Sequence, residues 1–305
     1  MNRILIIGYG IQGKKRHNIN SDEVVGIVDP IQVEADYTDL FKVPLNVYDV
    51  AYVCCPDGDK EQIIKYLVEN KKHILIEKPL YPINFSFLKK IDKISRDNKT
   101  VIYVAYNHRF EPNILDIKDV IDNNKIGKIY YIHFFYGNGT SQDILKSKWR
   151  NQEKNGIFQD LGCHILDLID FFKIDVDIQS LNKVISYSFE TKSYDYGQFV
   201  IDGKIKICVH LSNLSWKNSF YIDCIGEKGS VHATSLCKWG EAKSVFRQRV
   251  LPSGVPIETE NNYSNKDPTW IKESNYFKAL INKNVSGIDK KEFKILEILD
   301  KIKLC

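Results

Sequence analysis

No run of apolar residues in this 305-residue chain approaches the roughly 20 needed to cross a bilayer as a helix. Residues 1–20 also lack a secretory leader's order of charge, apolar stretch and small-residue cleavage site, and their one apolar run is needed as a strand. These absences predict a cytoplasmic protein with no membrane partner. A basic stripe is missing too: 43 Lys and Arg stand among 39 Asp and Glu, a net charge of +4 dispersed along the chain. That excludes a nucleic-acid partner on charge grounds and leaves room for an anionic small molecule. Among the seven cysteines there is no Cys-x-x-C, and adjacent Cys54 and Cys55 cannot both serve one tetrahedral ion, so no metal site is expected. An odd cysteine count suits a reducing compartment. Cys208 and Cys224 fall inside apparent strands, where cysteine behaves as a small buried hydrophobe. Internal repeats and low-complexity linkers are absent as well.

What is present is apolar residues enough, 43%, for two cores in a chain of this length. Short, almost wholly apolar runs recur at 4–7, 24–28, 50–55, 73–76 and 101–105. Strands apolar on both faces are what a parallel sheet buried between helices requires. Amphipathic segments at 60–70 and 84–98 alternate with these runs, predicting a doubly wound Rossmann fold. The connection at 30–48 has room for a short helix at most. After about residue 112 the pattern changes. A helix-like segment at 113–124 precedes a strand with Tyr131, His133 and Phe135 on one face and Ile132, Phe134 and Tyr136 on the other. Later strands around 196–211 and 219–234 have no helices between them and read as antiparallel, and residues 290–303 form a last amphipathic helix. The expected fold is α/β. A Rossmann dinucleotide-binding domain at 1–112 is followed by an α+β domain at 113–305, with a large, mostly antiparallel open sheet for substrate binding and oligomerisation. The two-sided apolar strand at 129–136 predicts that a further subunit covers the sheet, in a homodimer or homotetramer.

The first apolar run ends in Gly8-Tyr9-Gly10-Ile11-Gln12-Gly13, between a strand and a predicted helix. Gly8 suits the tight turn, Gly10 close approach to a pyrophosphate, and Gly13 close packing of helix on strand. The helix start offers free N–H groups to phosphate. Strand two ends at Asp29, near the spacing of an acid that grips a ribose diol. A carboxylate there repels a 2′-phosphate, which favours NAD, with NADP the alternative; Asp29 could instead serve only the turn before Pro30. Strand four ends in Glu77-Lys78-Pro79, and strand C-termini are where ligands bind in open α/β sheets. On a helix spanning 156–172, Asp160 and His164 would share one face, with Asp167 three residues on. Taken singly, Lys78 reads as a surface lysine and His164 as a packed histidine.

Taken in order, the motifs resemble the Gfo/Idh/MocA oxidoreductases, the family of glucose–fructose oxidoreductase and inositol dehydrogenase. They are the glycine loop, Glu77-Lys78-Pro79, Tyr106-Asn107-His108-Arg109-Phe110-Glu111-Pro112 and Asp160-Leu161-Gly162-Cys163-His164-Ile165-Leu166-Asp167. Trp149-Arg150 and Gly226-Glu227-Lys228-Gly229-Ser230 add to the likeness, which spans nearly the whole chain. It implies NAD(P) and a sugar, sugar-nucleotide or cyclitol substrate. Carried over by position, it implies that Lys78 is the catalytic lysine, His164 the proton-transfer group and Asp160 its companion facing the substrate. It puts Asn107, Trp149 and Arg150 at the substrate and Gly8, Gly10, Ile11, Gln12, Gly13, Asp29, Cys55, Pro56, Glu77 and Lys78 at the cofactor. Arg109 is expected to be structural. Two positions depart from the family pattern: Asp57 stands where Asn is common, and Lys60 where His is common. Lys146, Lys148 and Arg150 form a basic cluster that could meet a diphosphate or simply face solvent. The leading expectation is an NAD(P)-dependent dehydrogenase or ketoreductase of a sugar nucleotide or modified sugar in glycan synthesis. The alternatives are an NAD-dependent glycosidase working by transient oxidation and a non-catalytic dinucleotide-binding regulator.

Overall fold

A computed structural model describes residues 2–80, 83–147, 150–152, 156–264 and 266–304. The first strand, β1 (Ile4–Ile7), buries all four of its side chains. Burying one such aliphatic side chain contributes about 1.5–3 kcal/mol. The chain continues through α1 (Ile11–Ile19), β2 (Val24–Val28), β3 (Val50–Val53), α2 (Lys60–Glu69), β4 (His73–Glu77), α3 (Phe85–Asp97) and β5 (Val101–Ala105). Between β2 and β3 there is only a single 3-10 turn at Leu40–Lys42 and a one-residue bridge from Tyr37 to Val28, the short connection expected there.

A 3-10 turn at Asn107–Phe110 leads into α4 (Pro112–Asp122), with proline in the first turn, where its missing N–H costs nothing. Then follow β6 (Ile129–Gly137), α5 (Ser141–Lys146), α6 (Cys163–Phe171), β7 (Leu181–Tyr187), β8 (Tyr196–Asp202), β9 (Lys206–Ser212), β10 (Ser219–Gly226), β11 (Gly229–Thr234), β12 (Ala242–Val250) and β13 (Gly254–Tyr263). The chain ends with α7 (Thr269–Asn282), a short strand β14 (Gly287–Ile288) and α8 (Lys290–Leu304).

Contacts divide these elements into two compact units, Met1–Tyr106 with Trp270–Leu296, and Asn107–Thr269 with Glu297–Cys305. In the first unit six parallel strands run in the order β14-β5-β4-β3-β1-β2, a doubly wound sheet as the alternation of strand and helix predicts. Residues 270–296, placed by sequence with the later part of the chain, pack here. Phe277 of α7 joins Tyr52 and Tyr103 in the core, and β14 adds the sixth strand beside β5.

The second unit holds eight strands in the order β13-β12-β11-β10-β6-β9-β8-β7. All neighbours are antiparallel except β6 and β9, which are parallel. Ile132, Phe134 and Tyr136 of β6 point into the core. On the opposite face Phe135 stacks on Tyr221, with ring centroids 5.0 Å apart, and Tyr131 is exposed. Cys208 lies on this open face in register with His133 and is exposed, so only Cys224 behaves as the buried strand cysteine expected of both. Among the described residues no helix is long and apolar enough to cross a membrane.

Candidate functional site

The glycine loop in the first unit is shaped by contacts that leave no room for side chains. Gly8 has φ +88°, and a Cβ there would lie 2.8 Å from the backbone of Cys54 and Cys55. A Cβ on Gly13 would come 2.1 Å from the Gly8 carbonyl oxygen. Around Gly10, in contrast, nothing lies within 4 Å of where a Cβ would be. Gly10 caps α1 with no side-chain acceptor on the helix's first N–H groups, so the opening suits a pyrophosphate. Ile11 lies exposed at this helix start, and Gln12 follows it.

Asp29 is tied to this loop. Its Oδ2 accepts the Tyr9 N–H at 2.7 Å and its Oδ1 those of Ile31 and Gln32, both at 2.9 Å. Burial works against the charge, but the N–H donors of Tyr9, Gln32 and Ile31 outweigh it and hold the carboxyl below its ordinary range. The turn role and a ribose role are thus compatible: three of about four lone-pair positions are taken and one remains on Oδ2. Cys55 and Pro56 follow β3 beside the loop, and burial pushes the Cys55 thiol up to about 11, so it is neutral at physiological pH.

The end of β4 is braced from two sides. Glu77 Oε1 accepts from Arg16 Nη2 at 2.8 Å and from Nε at 3.0 Å, and the same guanidinium pairs with Glu273 at 2.6 Å. Lys60, buried, donates to the carbonyls of Glu77 at 2.8 Å and Pro79 at 3.1 Å and pairs with Asp57 at 2.7 Å. The two departures from the family pattern, Asp57 and Lys60, are therefore one ion pair that grips the backbone on both sides of Lys78. The Lys78–Pro79 peptide is cis, and Lys78 is half-buried.

In the second unit the segment expected to be one regular α-helix contains a widened π-helical turn at Phe158–Gly162, and α6 begins at Cys163. Asp160 therefore lies in the π turn and not on a straight α-helical face with His164. Such turns recur at functional sites because the extra residue re-aims a side chain. His164 is 5% exposed, within a helix buried on nearly every side from Cys163 to Ile169. Asp160 pairs with Arg150 at 2.5 Å. Arg109 donates to Asp167 at 2.6 Å and to Asp170 at 3.2 Å, fastening the 107–110 turn to α6, a structural use of that arginine. Asn107 is held at both ends, its Nδ2 donating to Thr269 Oγ1 at 2.9 Å and its Oδ1 facing His108 Nδ1 at 3.0 Å. One N–H and one lone pair of the amide stay available. Trp149 and Lys148 lie outside the described residues; Lys146 is exposed at the end of α5.

Three features went unnoticed in the sequence: the buried Arg16, the grip of Lys60, and the ring of His108 against His164 at 4.0 Å. Arg16 follows Gly13 by three, one turn along the inner face of α1, a position where a charge requires buried partners. The other two depend on long-range proximity that carries no local signal.

Residues 2–106 match the family profile described as "Oxidoreductase family, NAD-binding Rossmann fold", and residues 114–232 match the "GFO/IDH/MocA C-terminal domain". Two domain matches in order, on a doubly wound sheet followed by a large open one, give the domain order of a family of dinucleotide-binding oxidoreductases. The chain belongs to the Gfo/Idh/MocA family, and its first domain is an NAD-binding Rossmann fold by that match. Inositol 2-dehydrogenase of Rhizobium meliloti (strain 1021) is 23% identical over 147 residues, 48% of this chain and 40% of that one. The chain spans about half the length of the curated relatives it matches. An oxidoreductase from Agrobacterium radiobacter, solved with NAD+, L-tartaric acid and magnesium, shares the fold with a TM-score of 0.79 at 17% identity, covering 99% of this chain and 96% of that one. So does UDP-N-acetylglucosamine 3-dehydrogenase from Acidithiobacillus ferrooxidans, with a TM-score of 0.77 at 14% identity, covering 99% and 96%.

Proposed function

We propose that this protein is an NAD-dependent dehydrogenase that moves a hydride between nicotinamide and a hydroxyl-bearing or keto carbon of a sugar, with sugar nucleotides or modified sugars the favoured substrates. The observation that carries the reading is the bracing of the Lys78 turn, by Arg16 on the Glu77 side chain and by Lys60 on the carbonyls of Glu77 and Pro79. Two buried cations spent on one strand end are the supporting shell that a preorganised catalytic group needs. NAD, when bound, supplies the hydride acceptor. Lys78 donates to the reacting oxygen and stabilises its developing charge. His164 takes that oxygen's proton in oxidation and returns it in reduction. Asp160 binds a neighbouring hydroxyl, Arg150 fixes Asp160 or meets a substrate phosphate, and the free N–H of Asn107 reaches the substrate. Asp29 grips the ribose and repels a 2′-phosphate. The likeness in fold to a UDP-sugar dehydrogenase and the cations Lys146 and Arg150 support the sugar-nucleotide class.

We further propose a homo-oligomer assembled through the open face of the eight-stranded sheet, and a place in the cytoplasm, where the exposed, unbonded Cys208 stays reduced. The deciding assay follows NADH absorbance against a panel of sugars, inositols and sugar nucleotides, with release of free sugar measured in parallel. Lys78→Ala and His164→Ala are each expected to keep NAD affinity within about threefold and to lose about 10²–10⁴ in kcat. Near-normal turnover in either variant removes the role given to that residue. Sugar release without NADH would replace the dehydrogenase by a glycosidase.

A further inference from the structure

His108 stands beside His164 in the same unit, ring centroids 4.0 Å apart and planes 35° from parallel. Both are buried. Two stacked imidazoles at this separation cannot both carry a charge without strong repulsion, so which of them takes a proton is decided by what each is bonded to.

The bonds of His108 form a chain with an obligate donor at one end and an obligate acceptor at the other. Lys238 Nζ, which can only donate, meets Tyr136 Oη at 3.3 Å. The Tyr136 hydroxyl therefore has its own proton for His108 Nε2, also at 3.3 Å. At the far end the Asp267 carboxylate accepts from Thr269 Oγ1 at 2.6 Å. Thr269 Oγ1 must then accept from Asn107 Nδ2, at 2.9 Å, which turns Asn107 Oδ1 toward His108 Nδ1 at 3.0 Å. His108 must donate there. The Asp267 end fixes the proton on Nδ1, and in the neutral ring Nε2 is then an acceptor for the Tyr136 hydroxyl.

We propose that His108 is a positioning residue, a neutral imidazole locked by the chain Lys238–Tyr136–His108–Asn107–Thr269–Asp267, that leaves His164 as the member of the stacked pair that changes protonation. Protonating His108 would force its bond with Tyr136 to reverse, against an oxygen that already accepts from Lys238, and set a positive charge near the Lys238 ammonium. Of the charged groups on the neighbouring segments, Arg109 pairs with Asp167 and Asp170 and Arg150 with Asp160, while Glu111 accepts the Cys237 N–H. The proposal rests on the reading of His164 as the proton-transfer group, but its central statement concerns His108 alone and is tested without turnover.

Two-bond 1H–15N spectra of 15N-histidine-labelled protein report which nitrogen bears the proton. The expected result is a His108 with protonated Nδ1 and pyridine-type Nε2 at every pH from 6 to 9. A His108 that carries its proton on Nε2, or becomes doubly protonated in that range, overturns the proposal. In Tyr136→Phe the ring contacts stay and the donor goes, so His108 should titrate within the window. On the substrate found in the panel, kcat should fall about tenfold with KM within twofold. The acidic limb of kcat should move to lower pH, because a charged His108 resists a second charge on His164. Lys238→Met, at an exposed position, should produce a smaller shift in the same direction. Loss of thermal stability in Tyr136→Phe with the tautomer and the limb unmoved would make the chain merely structural. If His164→Ala keeps its turnover the site reading fails, and the His108 spectra still decide this proposal.

Discussion

Arg16 carries its charge at 1% exposure, between Glu77 and a Glu273 that is fully buried. Burial alone would favour the neutral guanidine, but the two carboxylates outweigh it and hold the pKa above its ordinary value. The guanidinium also lies 4.4 Å from the Trp270 ring centroid. Arg16→Met takes the guanidinium away from two carboxylates, one of them with no access to water. Removing one partner of a buried pair costs about 3–5 kcal/mol, and urea unfolding of this variant should show a loss of that order. Local sequence could not reveal the partners of this residue. Its helix is only weakly amphipathic, and its partners come from 61 and about 257 positions away, so the spacing from Gly13 marks an inner position without saying what pairs the charge. Lys60 was visible only as a departure from a family pattern. Its reason is spatial: a side chain from the start of α2 reaches two carbonyls after β4.

At the scale of elements, the strand–loop–helix of β1 and α1 was legible because both of its signals are local, an apolar run and glycine spacing. The contacts give the glycines separate jobs, and these separate in experiment. Gly13→Ala places a Cβ against a backbone oxygen that cannot yield, so α1 must shift off β1; both thermal stability and NAD affinity should fall. Gly10→Ala meets no protein atom within 4 Å. Its midpoint should stay within the change of about 0.5 kcal/mol typical of surface substitutions, while NAD affinity drops at least tenfold by calorimetry. Equal NAD binding in Gly10→Ala and the parent would remove the pyrophosphate from this loop. The π turn at Phe158–Gly162 was not legible. A run such as Phe-Gln-Asp-Leu-Gly suits α and π backbones almost equally, and the choice falls to how the flanking segments pack. The helix over α7 also bears no mark of its destination, since a helix's apolar stripe does not say which sheet it will cover.

On the scale of the whole molecule, the open face of the second sheet is the largest expectation still to be met by experiment. The residues Phe135, Tyr221, Tyr131, Val200 and Ile225 share that face by register. Light scattering should give a mass at least twice the 35.4 kDa of one chain. Tyr221→Lys, in the middle of the face and outside the core, should shift the mass toward the monomer and leave the fold intact by circular dichroism. A parent protein that stays monomeric up to high micromolar concentrations would remove the oligomer.

Apolar runs of four or five, helical spacing and glycine placement are properties of neighbours in the chain, and they determined the parallel sheet, its glycine loop and the order of the motifs. Residue type and order also determined the family, because each motif is a short string with its own chemistry. Only the tertiary structure decided which charges are buried and by what they are paired, where residues 270–296 dock, and which imidazole of the stacked pair is held neutral. Those outcomes depend on distances between groups remote in sequence, set by how whole elements pack, and no local pattern encodes them.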